Sequence, residues 1–259
     1  MKKHLSILGL FARQTLLSTL GILMLMSGIQ WISFQWHLRH ALNAYAADIG
    51  GAFPQLEVLL PRSAANIWFA LGYLLITALL CLIGCQFRTQ TSYTLRRLSV
   101  GERTVFLWQW LYNALIYLLL WLWQVVLSYG LCLYYLNAAP TEATDVQTLF
   151  LAFWRSEFLH ALLPLTDVAL WVRNGFLLIA LSLAAAIFPY RQRRGKYSGS
   201  AIALIPYVCI TFERGIAEWA HVALTVTIAV LVLTEAIGGV WLTDDDKDSA
   251  SSEEVNVHA

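Results

Sequence analysis

From Thr104 to Leu136 the chain carries no formally charged side chain, and no other feature constrains the fold as much. About twenty apolar residues in a helix cross the hydrocarbon core of a bilayer, so this run crosses with length to spare. Other long apolar runs flank it. The 259 residues are 59% hydrophobic and 13% charged, against about 45 to 50% and 25% in soluble domains. The chain therefore reads as an all-α integral membrane protein with a single bundle over residues 1–242. No soluble segment is long enough to bury a core of its own. Six transmembrane helices are expected at about 15–36, 67–86, 104–136, 168–189, 199–216 and 219–242. Residues 243–259 are acidic and serine-rich with no apolar face, which predicts a disordered tail.

Several elements lie between or beside the spans. Met1–Gln14 opens with Lys2, Lys3 and His4 but lacks a small-residue cleavage site, so it is read as an interfacial helix rather than a leader. His37–Ser63, broken by Pro54 and Pro61, is the first loop on the far side. Asn137–Thr166 is the second, with a short helix around Leu149–Leu162 lying on the membrane surface. Pro189 is expected to end the fourth span. Trp31, Trp36 and Trp68 suit an outer aromatic belt.

The charges orient the bundle. Lys2, Lys3, Arg13, Arg88, Arg96, Arg97, Arg103, Arg191, Arg193, Arg194, Lys196 and Lys247 fall on one side of the six-span layout. Arg39, Arg62, Arg155 and Arg214 fall on the other, with Arg173 inside a span. The richer side is cytoplasmic by the positive-inside rule, which puts both termini in the cytoplasm of a cell, expected to be bacterial. A net charge of +1, with no basic face gathered on soluble sequence, excludes nucleic acid as a partner.

Within the third span, Gln109, Asn113, Tyr117, Gln124 and Ser128 share roughly a third of the helix circumference. Such a stripe faces protein or water. It is either interhelical hydrogen bonding or, for Gln109, Asn113 and Gln124, the lining of a substrate path. Other intramembrane ionisable residues are Glu213, Arg214, Glu218 and Glu235. Arg214 and Glu218 are four apart and can pair on one helix, and Glu235 needs a partner or a water-filled neighbour. The uncharged run Ser198–Phe212 is short for a span, leaving a full crossing or a re-entrant segment. Arg173 is expected to pair with Asp167 or to snorkel to the interface.

Catalytic patterns are lacking. There is no His-Glu-x-x-His pair and no Gly-x-Ser-x-Gly elbow, and Glu157, His160, Glu218, His221 and Glu235 do not share one expected level. Cys81 and Cys85 are one helical turn apart with no nearby His or acid, so small packing residues are favoured over a metal site. Cys132 and Cys209 also fall in apolar runs.

The segment Gln86–Arg103 is a charged island with four arginines between two apolar runs. Its spacing predicts a short amphipathic helix at the cytoplasmic face, between the second and third spans, with Gly101 as the stop. Residues 93–103, Tyr-Thr-Leu-Arg-Arg-Leu-Ser-Val-Gly-Glu-Arg, resemble the "Gly-Thr-Leu-Glu-x-Leu-x-x-Pro-Val-Ser-Arg" segment of permease subunits of type-two, exporter-like ABC transporters. Ser92 stands where Gly is common in that family, Ser99 where Pro is common, and Arg96 and Arg97 where acidic or neutral residues are common. The six-span layout carries the rest of the resemblance.

The resemblance implies that Tyr93, Arg96, Arg97, Leu98, Val100, Glu102 and Arg103 form a coupling helix seated in a groove of an ATP-binding subunit. The alternative is that the arginines only anchor topology and contact lipid headgroups. No Gly-x-x-x-x-Gly-Lys-Ser/Thr loop is present in the sequence, so this chain is expected to bind no cofactor. ATP and Mg would sit on a partner ATPase subunit. A second copy or paralogue of the permease and membrane lipid complete the implied partners, with export of a peptide, lipid or drug-like substrate as the implied function. A non-transporting sensor or assembly subunit remains the other reading.

Overall fold

A computed structural model describes residues 2–47, 53–84, 102–145, 147–192, 196, 198, 199, 204, 207, 208 and 218–242. Among these the regular structure is helical, with no strand. The helices are α1 (Lys2–Ala46), α2 (Leu56–Arg62), α3 (Ala65–Gly84), α4 (Glu102–Ala138), α5 (Thr148–Arg155), α6 (Glu157–Leu162), α7 (Val168–Gln192) and α8 (Glu218–Ile237), the last closed by a π-helical turn at Gly238–Leu242. Five of them, α1, α3, α4, α7 and α8, are long and apolar enough to cross a membrane.

α1 and α4 run parallel in nearly constant register. Thr15 hydrogen-bonds Tyr112, the Trp123 indole N–H donates to Ser27 Oγ (2.6 Å), Gln30 pairs with Gln124, and the Tyr45 hydroxyl donates to Glu142 (3.0 Å). α3 returns antiparallel beside both. It meets α1 at Gly72, where a Cβ would lie 2.5 Å from the Met26 sulfur, so the missing Cβ is what admits the thioether. α7 runs down against α4, with Phe106 edge-on to Tyr190 (5.6 Å), Trp110 Nε1 donating to Ser182 Oγ (3.0 Å) and Trp121 beside Trp171 (5.7 Å). α7 also packs on α3, while α8 packs chiefly on α7.

α7 and α8 are parallel. Near their C-terminal ends Arg191 forms an ion pair with Glu235, and near their N-terminal ends His221 lies within electrostatic range of Arg173. Small residues allow the close packing: Ala180, Ser182, Ala184, Ala185 and Ala186 of α7 are all buried.

Several expectations change at this level. The first fourteen residues do not form a separate interfacial helix, because α1 continues unbroken from Lys2 through the first span and on to Ala46. Nothing between Arg13 and Thr15 breaks a helix, and one turn of polar residues is too little to stop it. The expected surface helix around Leu149–Leu162 is two helices divided at Ser156, whose extended backbone (ψ 116°) ends one and begins the next. Pro189 does not end α7. It sits in the last turn, where little helix remains to be disrupted, and the helix reaches Gln192. Cys81 and Cys132 are buried free thiols.

α1 and α4 outlast their neighbours. Trp171, in the first turn of α7, is level with Trp121, and α4 runs on from there to Ala138, a further distance of about 25 Å at 1.5 Å per residue. The three short helices gather around this projection. Trp121 Nε1 reaches the Leu162 carbonyl (3.1 Å), Phe158 packs on Phe69 (6.0 Å), and Arg155 faces Glu57 at 3.8 Å. Ala64, with φ 56°, supplies the left-handed turn that carries the chain from α2 into α3.

Candidate functional site

The residues singled out from the sequence fall into three places. Tyr93, Arg96, Arg97, Leu98 and Val100 lie outside the described residues, as do Glu213 and Arg214. Glu102 and Glu218 open α4 and α8 respectively, with only their backbones described. Arg103 sits half-buried in the first turn of α4. That turn lies beside the end of α7, since Phe106 meets Tyr190. The two flanks of the arginine island, Gly84 and Glu102, thus attach at the bundle end that also carries Arg191 and Lys196.

The α4 polar stripe is brought inside the bundle. Gln109, Asn113, Tyr117, Gln124 and Ser128 are all buried. The Gln30 and Gln124 amides exchange hydrogen bonds at 3.1 and 2.9 Å, and Gln124 Nε2 also reaches Ser128 Oγ at 3.3 Å. Asn113 Nδ2 donates to the Ser182 carbonyl (3.3 Å), and the Tyr117 and Thr77 hydroxyls are 2.6 Å apart. The stripe thus joins α4 to three different helices: α1 through Gln124, α3 through Tyr117, and α7 through Asn113. Water is absent from the hydrocarbon core, so each amide without a protein partner would cost free energy, and reciprocal pairing removes that cost.

Glu235 has a partner, Arg191. Its helix position close to the basic end of the bundle explains the choice, because Arg191 lies in the final turn of the parallel α7 and its side chain passes alongside Gly239. Nothing in the local sequence of either residue gives this pairing, since the two are 44 positions apart.

Arg173 neither pairs with Asp167 nor snorkels. It is buried, donating from Nη2 to the Ala161 carbonyl (3.1 Å) and to Asn174 Oδ1 (2.9 Å). Asn174 Nδ2 reaches the same carbonyl at 2.9 Å. Asp167 is instead taken by His160, whose Nε2 lies 2.8 Å from its carboxylate. Beyond the break at Ser156, α6 meets the head of α7, with His160 at Asp167 and the Ala161 carbonyl at Arg173.

A recess opens beside this group, between the N-terminal end of α2, the turn after α4, and α5. It holds about 170 Å³ and is bordered by Glu57, Glu142, Asp145 and Arg155. Sequence reasoning missed it, because its walls come from three distant segments and no motif marks them. Among the described residues no three His, Cys, Asp or Glu side chains converge on a point where a metal ion could be held. No protein-family model, no curated protein and no solved structure matches the chain.

Proposed function

We propose that this chain is the membrane-spanning permease subunit of an ABC-type exporter, driven by ATP hydrolysis on a separate subunit bound at its basic end. The observation that carries the reading is the placement of the arginine island. Its flanks leave α3 and enter α4 at the same end of the bundle as Arg103, Arg191 and Lys196. The sequence joining those flanks, with Tyr93, Arg96 and Arg97 at helical spacing and Leu98 among its apolar residues, is suited to dock on an acidic groove of a soluble motor. In this reading Tyr93, Val100, Glu102 and Arg103 border the contact.

Six crossings fit better than five. α7 and α8 are parallel, so the chain between Gln192 and Glu218 starts at one end of the bundle and must deliver α8 to the other. The described residues along it agree: Lys196 bonds back to the Arg191 carbonyl, whereas the Tyr207 hydroxyl donates to the His221 carbonyl (3.2 Å) near the head of α8. With the basic end in the cytoplasm, both termini are cytoplasmic and the membrane is the cell membrane.

The buried hydrogen bonding of Gln124 and Asn113 favours a substrate path between two bundles over one through a single bundle. A second copy or a paralogue would supply the other wall. ATP-driven closure of the motor pair would then rock the two bundles against each other. The same tightly bonded interior also suits a non-transporting subunit that docks a soluble partner without a cycle, which is the second reading.

Purification of the tagged chain in gentle detergent tests the first step: a separate ATPase should accompany it in equimolar amount. Replacing both island arginines, Arg96→Glu with Arg97→Glu, should abolish coupled transport while leaving membrane insertion intact. Normal transport by that double variant would rule out the docking role. Co-purification of an ATPase whose turnover responds to no substrate would favour the non-transporting reading.

A further inference from the structure

α5 has two different sides. Thr148, Ala152 and Arg155 fall along one side and border the recess with Glu57, Glu142 and Asp145. Phe150 and Trp154 lie on another, 56% and 47% exposed, with their rings stacked 6.1 Å apart. At 3.6 residues per turn the two sets are centred roughly 150° apart, so they face different surroundings.

The aromatic side lies where the apolar surface of α7 begins. Trp154 packs edge-on to His160 at 6.3 Å, His160 holds Asp167, and Val168 follows as the first residue of the span, 74% exposed. Leu165 and Trp171 are exposed beside it. On the other flank the projecting ends of α1 and α4 expose Ile32, Trp36, Val126 and Leu133. The Phe150–Trp154 pair therefore continues a surface that already belongs to membrane-spanning helices, at the depth where indole rings settle.

We propose that α5 is a partition one helix thick: its Phe150–Trp154 side lies in the bilayer leaflet opposite the Arg191 end, and its Thr148–Arg155 side faces a water-filled recess. Lipid is the occupant of the aromatic side because that surface is continuous with the spans, and short amphipathic helices enter the headgroup boundary in this way. Water fills the other side because three carboxylates and the Arg155 guanidinium border it, and taking such charges out of water is costly. Arg155 pairs with Glu57 only loosely, at 3.8 Å, with more than half of its side chain exposed.

Spin labels test both sides. The full chain, with its native cysteines changed to alanine, carries a nitroxide at Phe150→Cys, Trp154→Cys or Thr144→Cys and is reconstituted in phosphatidylcholine vesicles. Power saturation should show oxygen access exceeding that of a water-soluble nickel chelate at 150 and 154, and the reverse at 144. Nickel dominance at 150 and 154 would overturn the lipid contact. Low access to both reagents there would also overturn it, since a protein partner or second copy would then cover the face. Oxygen dominance at 144 would overturn the aqueous recess. The unmodified chain gives a second reading free of any mutation: in the same vesicles Trp154 should resist hydroxyl-radical oxidation despite its exposure, and oxidation at the rate of a free indole would refute the proposal. None of these outcomes depends on whether an ATPase binds the opposite end.

Discussion

α7 and α8 lie side by side, point the same way and have nearly the same mean hydropathy, 1.8 and 2.0, yet 61% of the apolar 18-residue stretch of the one and 22% of that of the other is buried in the bundle. Hydropathy measures how readily a helix enters lipid. It does not say which helix lies in the middle. Side-chain size does: α7 presents Ala180, Ala184, Ala185 and Ala186 to neighbours that include α3, α4 and α8. α8 offers a single buried stripe, His221, Thr225, Ala229, Val232, Ala236 and Val240, and turns Val230, Leu231 and Leu233 outward. In lipid no hydrophobic force draws helices together, so close backbone approach and polar contacts decide the arrangement.

The largest effect should come from cutting the Arg191–Glu235 ion pair between the two helices. Glu235→Ala leaves the Arg191 guanidinium in a site where only 26% of its side chain is exposed. Breaking a buried pair costs about 3 to 5 kcal/mol, and partial exposure puts this one near the lower end. Thermal unfolding in detergent should report that loss, and a disulfide engineered across the helix ends should form more slowly. Reversing the pair, Arg191→Glu with Glu235→Arg, should recover much of it. Unchanged stability in the single variant would mean that the apolar stripe alone holds α8.

The second contrast is steric. Ala185→Leu on α7 forces a larger side chain into a fully buried position and should cost about 1 to 3 kcal/mol. Leu231→Ala on α8, at a position 60% exposed to lipid, should change stability by about 0.5 kcal/mol or less. Equal losses in the same unfolding assay would show that α8 is covered by protein in the membrane, and the difference between the helices would disappear.

Much of this was legible in the sequence, and the parts that were not share a cause. Runs such as Thr104–Leu136 announce membrane helices because length and lack of charge are local properties. The α4 stripe was legible because Gln109, Asn113 and Gln124 recur at helical spacing, although the identities of their partners were not. Arg191 for Glu235, His160 for Asp167 and the Ala161 carbonyl for Arg173 depend on how distant segments are brought together. The nearest opposite charge in sequence misled the reading of Arg173, since Asp167 lay only six residues away but was engaged by His160 of α6. The unbroken length of α1 was misjudged because charged residues near an N-terminus suggest an interfacial helix without supplying any residue that stops one. The recess beside α5 left no trace in any single stretch.

The smallest effect separates polar contacts in the middle of the bundle from the ion pair at its edge. Gln30 and Gln124 are each almost wholly buried and exchange two hydrogen bonds between α1 and α4. Gln124→Leu removes one amide and leaves the other facing an apolar wall, which should cost about 1 to 2 kcal/mol. Gln30→Leu should cost a similar amount. The double variant should lose less than the sum, because two leucines leave no polar group stranded, and the coupling from the cycle should be about 1 kcal/mol, near the values measured for hydrogen bonds between membrane helices. A coupling of zero would mean that the neighbouring Ser128 hydroxyl satisfies Gln124 without Gln30. The parallel register of α1 and α4 would then rest on other contacts, Thr15–Tyr112, Ser27–Trp123, Trp31–Tyr134 and Tyr45–Glu142 among them.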